Sequence, residues 1–226
     1  MTSTRVFALS ILGVLLSAPL LRAGDLSKYR GFQFGMNVNA IAKQAQLKAA
    51  DAKVVHQRPA LIKELQWQPR RSPSRTPESD AVEEVLFSFY NGELFRMVVT
   101  YDRSKTEGLT NEDLIDAISK DYGAAERPDA EIVFPATYEE TAKVLGRWED
   151  AQYSYNLVRS SYQSGFGMVV FSKRLDALAR EAITEAVRLD KQEAPQREIE
   201  SRKKEQDVSR LQQEKARTLN KPGFRP

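Results

Sequence analysis

Short apolar runs alternate with turn residues between positions 24 and 173, a pattern that is typical of strands in an antiparallel sheet. The clearest signal is a hairpin of Val82–Tyr90 and Glu93–Tyr101 around Asn91-Gly92, because both positions of a two-residue type I′ turn need positive φ. This turn predicts that Phe89 faces Leu94, Val85 faces Val98 and Leu86 faces Met97. Further strands are predicted over 61–68, 142–149, 152–159 and 165–173.

Helical periodicity appears twice before the C-terminal region. One helix is predicted to begin at Asn37, and a second begins at Thr110, where Asp113 three residues later has the spacing of a capping box. Gly123 is predicted to end the second helix as a left-handed cap. The order is then one helix and three strands, twice, in candidate halves at 29–104 and 105–173. The predicted fold class is α+β, with antiparallel sheet from both halves followed by C-terminal helices.

The C-terminal region has two parts. Residues 174–190 carry a continuous apolar stripe, and we expect this helix to dock on the domain, which then spans 24–190. Asp176 and Arg180 are predicted to form an i,i+4 pair outside the stripe. Pro195 is predicted to break the helix, with a new one starting near Gln196. Residues 191–226 form a charged tail without a heptad register, which is either a solvated, frayed helix or a recruitment arm that becomes ordered on a partner.

Residues 1–23 have the pattern of an export signal. Arg5 precedes an apolar run to Leu21, and Ala23 is a small residue suited to cleavage, so that the mature chain begins at Gly24. An uncleaved membrane anchor is the alternative interpretation. We therefore expect a periplasmic or secreted protein. No cysteine lies near the cleavage point, so no lipid anchor is expected.

The composition excludes several kinds of covalent, metal and binding site. The chain has no Cys and one His, which excludes disulfides, thiolate metal sites and cysteine nucleophiles. The net charge of +3 becomes +1 once Arg5 and Arg22 are removed, since 32 basic then face 31 acidic residues. So small an excess gives no long-range attraction to nucleic acid. The segment 69–80 reads as an exposed loop, and its arginines suggest RNA binding only weakly.

Candidate catalytic patterns all have simpler interpretations. His56 could act as a general base, but no nucleophile motif accompanies it. The neighbouring carboxylates Glu149-Asp150 and Glu139-Glu140 would point to opposite faces of a strand. The sequence around Gly165 and Gly167 lacks the helix that a phosphate-binding loop requires. No catalytic residue, cofactor or metal site is therefore predicted.

An aromatic group in the second half is the candidate ligand surface. Trp148, Tyr153 and Tyr155 could stack on a sugar or a peptide, with Arg147 and Arg159 beside them. Packing in the core or on the face of the sheet is the competing interpretation for these aromatic side chains.

Several motifs together carry a family resemblance. Phe34-Gly35-Met36 before a helix, an aromatic strand with the Asn91-Gly92 turn, Tyr122-Gly123 and the later Trp148 occur in this order. The succession resembles uncharacterised bacterial exported proteins and lipoproteins over residues 29–173. More remotely it resembles beta-lactamase-inhibitor proteins and the small outer-membrane assembly lipoprotein. The chain departs from the pattern in lacking the lipidated cysteine and a glycine at the end of its first helix.

The resemblance implies a non-catalytic envelope domain and carries no catalytic residue to this chain. We therefore expect an exported binding or assembly module. Its partner is expected to be a protein or another envelope component rather than a small molecule, with no nucleic acid and no stable membrane anchor after cleavage. A carboxylate-based hydrolase and a structural protein acting through its helical tail are the alternatives.

Overall fold

The computed structural model describes residues 24–69, 80–133, 141–160, 165–223 and 225. The predicted export signal, Glu139-Glu140 and most of the predicted loop at 69–80 lie outside the described residues. Among the described residues, no helix combines the length and apolar character needed to cross a bilayer.

Ten strands and four α-helices make up the described part of the chain. The first half contains β1 (Lys28–Tyr29), β2 (Phe32–Gln33), α1 (Val38–Ala45), β3 (Lys53–His56), β4 (Ile62–Trp67), β5 (Val82–Tyr90) and β6 (Glu93–Tyr101). The second half contains α2 (Arg103–Thr106), α3 (Asn111–Tyr122), β7 (Glu131–Val133), β8 (Thr141–Glu149), β9 (Tyr153–Ser160), β10 (Phe166–Ser172) and α4 (Lys173–Asn220).

Eight of the strands form one antiparallel sheet in the order β3-β4-β5-β6-β10-β9-β8-β7. The predicted α+β class with antiparallel sheet is confirmed. The two halves meet at β6 and β10, and each half runs as a helix followed by four strands. The prediction of three strands in each half was wrong, because it missed the short outer strands β3 and β7.

The central hairpin has the predicted turn and a different register. Asn91 and Gly92 have φ of +48° and +90°, and Phe89 faces Leu94 as predicted. Beyond that pair Phe95 forms a bulge, since Ser88 faces Arg96. Val85 therefore faces Val99, and Leu86 faces Val98, one residue away from the prediction. The extra residue changes the face to which every later side chain of β6 points.

One face of the sheet is covered by α1 and α3. Their apolar sides, which include Ile41, Ala45 and Ile115, join strand residues such as Phe87 and Met168 in the main core. The capping box of α3 is confirmed, because Asp113 N donates to Thr110 Oγ1 at 3.2 Å and Thr110 N donates to Asp113 Oδ2 at 2.8 Å.

The other face receives the first part of α4. This helix follows β10 directly, and Leu175, Ala179 and Ile183 pack against Ile62 and Phe95. We call residues 173–190 the root of α4. A further small apolar cluster on the last four strands consists of Ile132, Ala142, Val144, Val158 and Val169.

A buried charge pair fastens the root to the sheet. Arg96 is fully buried and Asp176 is 2% exposed, and Arg96 Nε donates to Asp176 Oδ1 at 2.8 Å. Arg180 Nε donates to Asp176 Oδ2 at 2.7 Å, so the predicted i,i+4 pair is confirmed. Its placement outside the stripe was wrong for Asp176, which points into the sheet. The Phe171 ring lies 5.6 Å from the guanidinium of Arg96.

Helix α4 continues through Pro195 to Asn220, so the predicted break is wrong. Proline removes one backbone donor from a helix and need not end it where side chains hold the adjoining turns together. Here Arg197 donates to both Asp190 and Glu193, at 2.8 and 2.9 Å, and so links the turns on either side of Pro195.

Candidate functional site

The five residues of the predicted ligand surface do not share an accessible face. Trp148 and Tyr155 are 2% and 0% exposed within the main core. Trp148 Nε1 donates to Gly123 O at 2.9 Å, and Tyr155 Oη donates to Lys28 O at 2.6 Å. Arg147 lies on the opposite face, where its Nε donates to Asn156 Oδ1 at 2.9 Å.

Arg159 and Tyr153 are the more accessible members of the set. The Arg159 guanidinium lies 5.1 Å from the centre of the Phe166 ring and is exposed at the sheet surface. Tyr153 is half-buried and stacks on Phe34 with ring centres 5.2 Å apart. Of the five, Tyr153 alone lines the cavity described below.

Four tyrosines belong to the main core or pack against it: Tyr29 and Tyr155 are buried, and Tyr101 and Tyr122 are half-buried. The rings of Tyr122 and Tyr155 lie 4.9 Å apart, and those of Tyr29 and Tyr155 lie 6.4 Å apart. Burial raises the pKa of Tyr29, Tyr101 and Tyr155, and it raises the pKa of Tyr122 to about 12. These hydroxyls therefore stay protonated at neutral pH and serve the packing of the core.

His56 lies in β3 at the outer edge of the sheet. Its Nε2 is buried without a hydrogen-bond partner among the described residues. In that same part of the chain, no group of three or more His, Asp or Glu side chains is arranged to hold a metal ion.

A cavity of about 290 Å³ lies where α4 begins. It is bounded by the Phe34-Gly35 turn, the turn between β8 and β9, and the first residues of α4. Backbone hydrogen bonds fix these walls, since Gly35 N donates to Leu94 O at 2.9 Å and Lys173 N donates to Gln152 O at 2.9 Å. The lining residues are Phe34, Gly35, Glu93, Ala151, Gln152, Tyr153, Ser172, Arg174 and Leu175.

Beyond residue 190 α4 leaves the domain, and we call residues 191–220 the arm. Where the arm departs, Arg58 forms an ion pair with Glu193. Hydrogen bonds from Arg58 and Arg197 lower the pKa of the Glu193 carboxyl to about 2. At 1.5 Å per residue the arm extends for about 45 Å.

The distal part of the arm is amphipathic. Val208, Leu211 and Leu219 are 54%, 61% and 72% exposed, and their spacing places them within about 80° of one another around the helix. Arg210, Arg217 and Lys221 lie on the opposite side. Residues 208–226 contain five basic side chains and one acidic side chain. Ion pairs along the arm end at Asp207–Arg210, and among the described residues Lys215, Arg217 and Lys221 have no acidic partner.

Two features of these sites have signals in the sequence. Lys173 and Arg174 open the last helix, although cations are disfavoured at a helix N-terminus. The spacing of Val208, Leu211 and Leu219 does not fit a heptad. It does continue the apolar stripe of the root, because Leu175, Ala186, Val208 and Leu219 lie 11 or 22 residues apart, which fits an 11-residue repeat. The meeting of Arg96 with Asp176 had no such signal, because it depends on the bulge at Phe95.

No protein-family model matches the chain, and no curated protein and no solved structure matches it significantly. Its function therefore has to be inferred from its own residues and geometry.

Proposed function

We propose that this protein is an exported, non-enzymatic assembly module that recruits an acidic protein partner of the cell envelope through the distal part of its arm. One observation carries the proposal: the stripe of Val208, Leu211 and Leu219 is exposed on a helix that has left the domain. A lone helix gains stability mainly by burying an apolar face, and this face has no partner within the described residues.

The chemistry of the arm indicates the kind of surface that would receive it. An amphipathic helix binds by laying its apolar side into a groove, with anchors spaced three, four and seven residues apart. Val208 and Leu211 have such a spacing, and Lys215 can lay its aliphatic stem along the same side. The excess of basic side chains beyond residue 207 favours a groove with an acidic rim.

The proximal part of the arm acts as a spacer. Glu193 with Arg197, Glu198 with Arg202, and Asp207 with Arg210 pair within the helix. These i,i+3 and i,i+4 pairs support the helix of the proximal arm. The distal stripe is thereby held tens of ångströms from the sheet. The Arg5-to-Ala23 pattern supports an extracytoplasmic setting for this arrangement.

Site-specific photocrosslinking in producing cells tests the proposal. A photoreactive residue at Leu211 should yield one discrete cross-linked protein, and the same residue at Gln213 should not, because Gln213 lies on the other side of the helix. The purified partner should bind the full chain, and Val208→Asp combined with Leu211→Asp should weaken that binding strongly. Binding should also weaken as salt rises, since screening reduces attraction between exposed charges.

Three outcomes would contradict the proposal. Equal cross-linking from Leu211 and Gln213 would show that the stripe is not the contact surface. Binding of the arm to anionic phospholipid vesicles, with no cross-linked protein, would assign the stripe to a lipid surface instead. Self-association that disappears with the arm would favour the structural role.

A further inference from the structure

The cavity at the start of α4 is a second feature, separate from the arm. It lies between the root and the main core, and all of its lining residues are described. We propose that it binds a free α-amino acid with an apolar side chain, held as a zwitterion.

A carboxylate would be held at the first turn of α4. The first amides of a helix have no acceptor within the helix, and the helix dipole adds partial positive charge there. Ser172 is the N-cap residue, yet its side chain makes no capping hydrogen bond. The acidic residue of this turn, Asp176, is directed to the opposite side by Arg96 and Arg180.

Ser172 independently indicates a ligand. It is 9% exposed, lines the cavity and has no hydrogen bond from its hydroxyl to any described residue. The hydroxyl is not one of the fully enclosed, unpartnered side-chain atoms of the described residues, so it opens to the cavity, where a bound oxygen would complete its hydrogen bonding. Lys173 N of the first turn already donates to Gln152 O, so the side-chain donors that line the cavity are this hydroxyl and the Arg174 guanidinium.

The cavity is lined by a basic and an acidic side chain, Arg174 and Glu93, which form no ion pair with each other. Arg174 adds a guanidinium at the second position of α4, where a cation is unfavourable unless an anion lies beside it. Lys173 is neutralised by Glu149 at 3.0 Å, whereas Arg174 has no ion pair with a described residue. Glu93 supplies a carboxylate, and no ion pair of the described residues joins it to Arg174.

These charges match the two ends of an amino acid. The ligand carboxylate would accept hydrogen bonds from Ser172 and Arg174, and its ammonium group would donate to Glu93. The stacked rings of Phe34 and Tyr153 would form an apolar wall for the side chain. A volume of about 290 Å³ is near the lower limit of ligand pockets, which suits a single amino acid.

Calorimetric titration of the full chain with leucine and two analogues tests this assignment. 4-Methylpentanoate lacks the ammonium group, and leucinamide lacks the carboxylate. We expect leucine to bind, and each analogue to bind at least about tenfold more weakly, because each loses a charge-assisted interaction. Glu93→Gln should remove the preference for leucine over 4-methylpentanoate, and Arg174→Gln should remove the preference over leucinamide.

Controls separate binding from folding. Both residues are exposed, so the two variants should keep the wild-type circular dichroism and melting temperature. Arg103→Gln, which removes an exposed cation far from the cavity in the sequence and the sheet, should leave all three affinities unchanged. Ser172→Ala should weaken leucine binding without altering its preference over 4-methylpentanoate. Absence of leucine binding at millimolar concentration, or affinities that neither Glu93→Gln nor Arg174→Gln changes, would overturn the proposal.

Discussion

Arg96 Nε lies 2.8 Å from Asp176 Oδ1, and this contact joins the centre of the sheet to the first turn of α4. Both residues are buried, and the more exposed Arg180 forms a second ion pair with Asp176. The root of α4 is therefore positioned by charge as well as by apolar packing. This fixed root sets the direction in which the arm leaves the domain.

Replacing Asp176 should be costly because it removes the carboxylate that accepts two hydrogen bonds from the buried Arg96 guanidinium. Asp176→Ala is expected to lower the free energy of unfolding by about 3–5 kcal/mol in urea titrations. Arg180→Ala should cost no more than about 1 kcal/mol, since that side chain is 54% exposed. The double substitution Arg96→Met with Asp176→Leu should be less damaging than Asp176→Ala. A double variant as unstable as the sum of its single variants would argue against a coupled pair.

Two truncations of α4 should differ in their effect on stability, because one removes only the arm and the other also removes the root. A chain that ends at Glu193 keeps the packed residues and the contact with Arg58, so its melting temperature should stay within about 2 °C of the full chain. A chain that ends at Lys173 loses the packed residues Leu175, Ala179 and Ile183, together with the Asp176 carboxylate that binds Arg96. Its melting temperature should fall by on the order of 10 °C or more. Unfolding caused by the shorter deletion would show that the arm belongs to the core.

The hairpin turn depends on the backbone freedom of Gly92. Its φ is +90°, and a Cβ there would meet no atom within 4 Å, so a substitution acts through the backbone alone. Gly92→Val should reduce stability by about 1–3 kcal/mol, because a β-branched residue is strained at positive φ. Gly92→Asn is the matched control and should cost less, since Asn tolerates this region. Equal melting temperatures for the two variants would show that the backbone at Gly92 does not limit stability.

The buried tyrosines predict loss of stability in alkali. In the unfolded chain a tyrosine loses its proton near pH 10, whereas burial raises the pKa of Tyr122 to about 12 in the folded chain. Between these values the folded state holds more protons than the unfolded state, so the free energy of unfolding falls as the pH rises. Tyr29, Tyr101 and Tyr155 shift in the same direction because they too are buried.

Tyrosinate absorbance followed from pH 9 to 12 measures this effect. Part of the absorbance should rise only together with the loss of circular dichroism, as unfolding exposes the four buried hydroxyls. Tyr122→Phe should shift alkaline unfolding to higher pH. Complete titration near pH 10 in a protein that is still folded would contradict the buried placement of these side chains.

Local signals in the sequence were sufficient for much of the fold. Asn91-Gly92 determined the hairpin turn, and Thr110 with Asp113 determined the start of α3, because each signal acts over two to four residues. The Phe95 bulge has no such local signature, so the register beyond Phe89 and Leu94 could not be derived. Strands β3 and β7 are short and carry little apolar alternation, and they pair only because longer neighbours offer them an edge.

The candidate sites depended more on long-range contacts. Trp148 and Tyr155 were predicted as a ligand surface with core packing as the competing interpretation, and the contacts with β1 and α3 place them inside. The cavity brings together four segments that are far apart in the sequence, around residues 34, 93, 152–153 and 172–174. Pro195 suggested a break because proline disfavours helices, but the Arg197 ion pairs that span it are visible only in the helix.

Hydrogen exchange of the full chain, resolved by residue or short peptide, tests the division of α4 most directly. Amides of residues 175–186 should exchange only with global unfolding, because they lie in a helix packed on the sheet. Amides of residues 197–219 should exchange orders of magnitude faster through local opening of an unpacked helix. Equal protection of both segments in the isolated chain would contradict the division into root and arm, since it would show that the arm is already packed and not free to receive a partner.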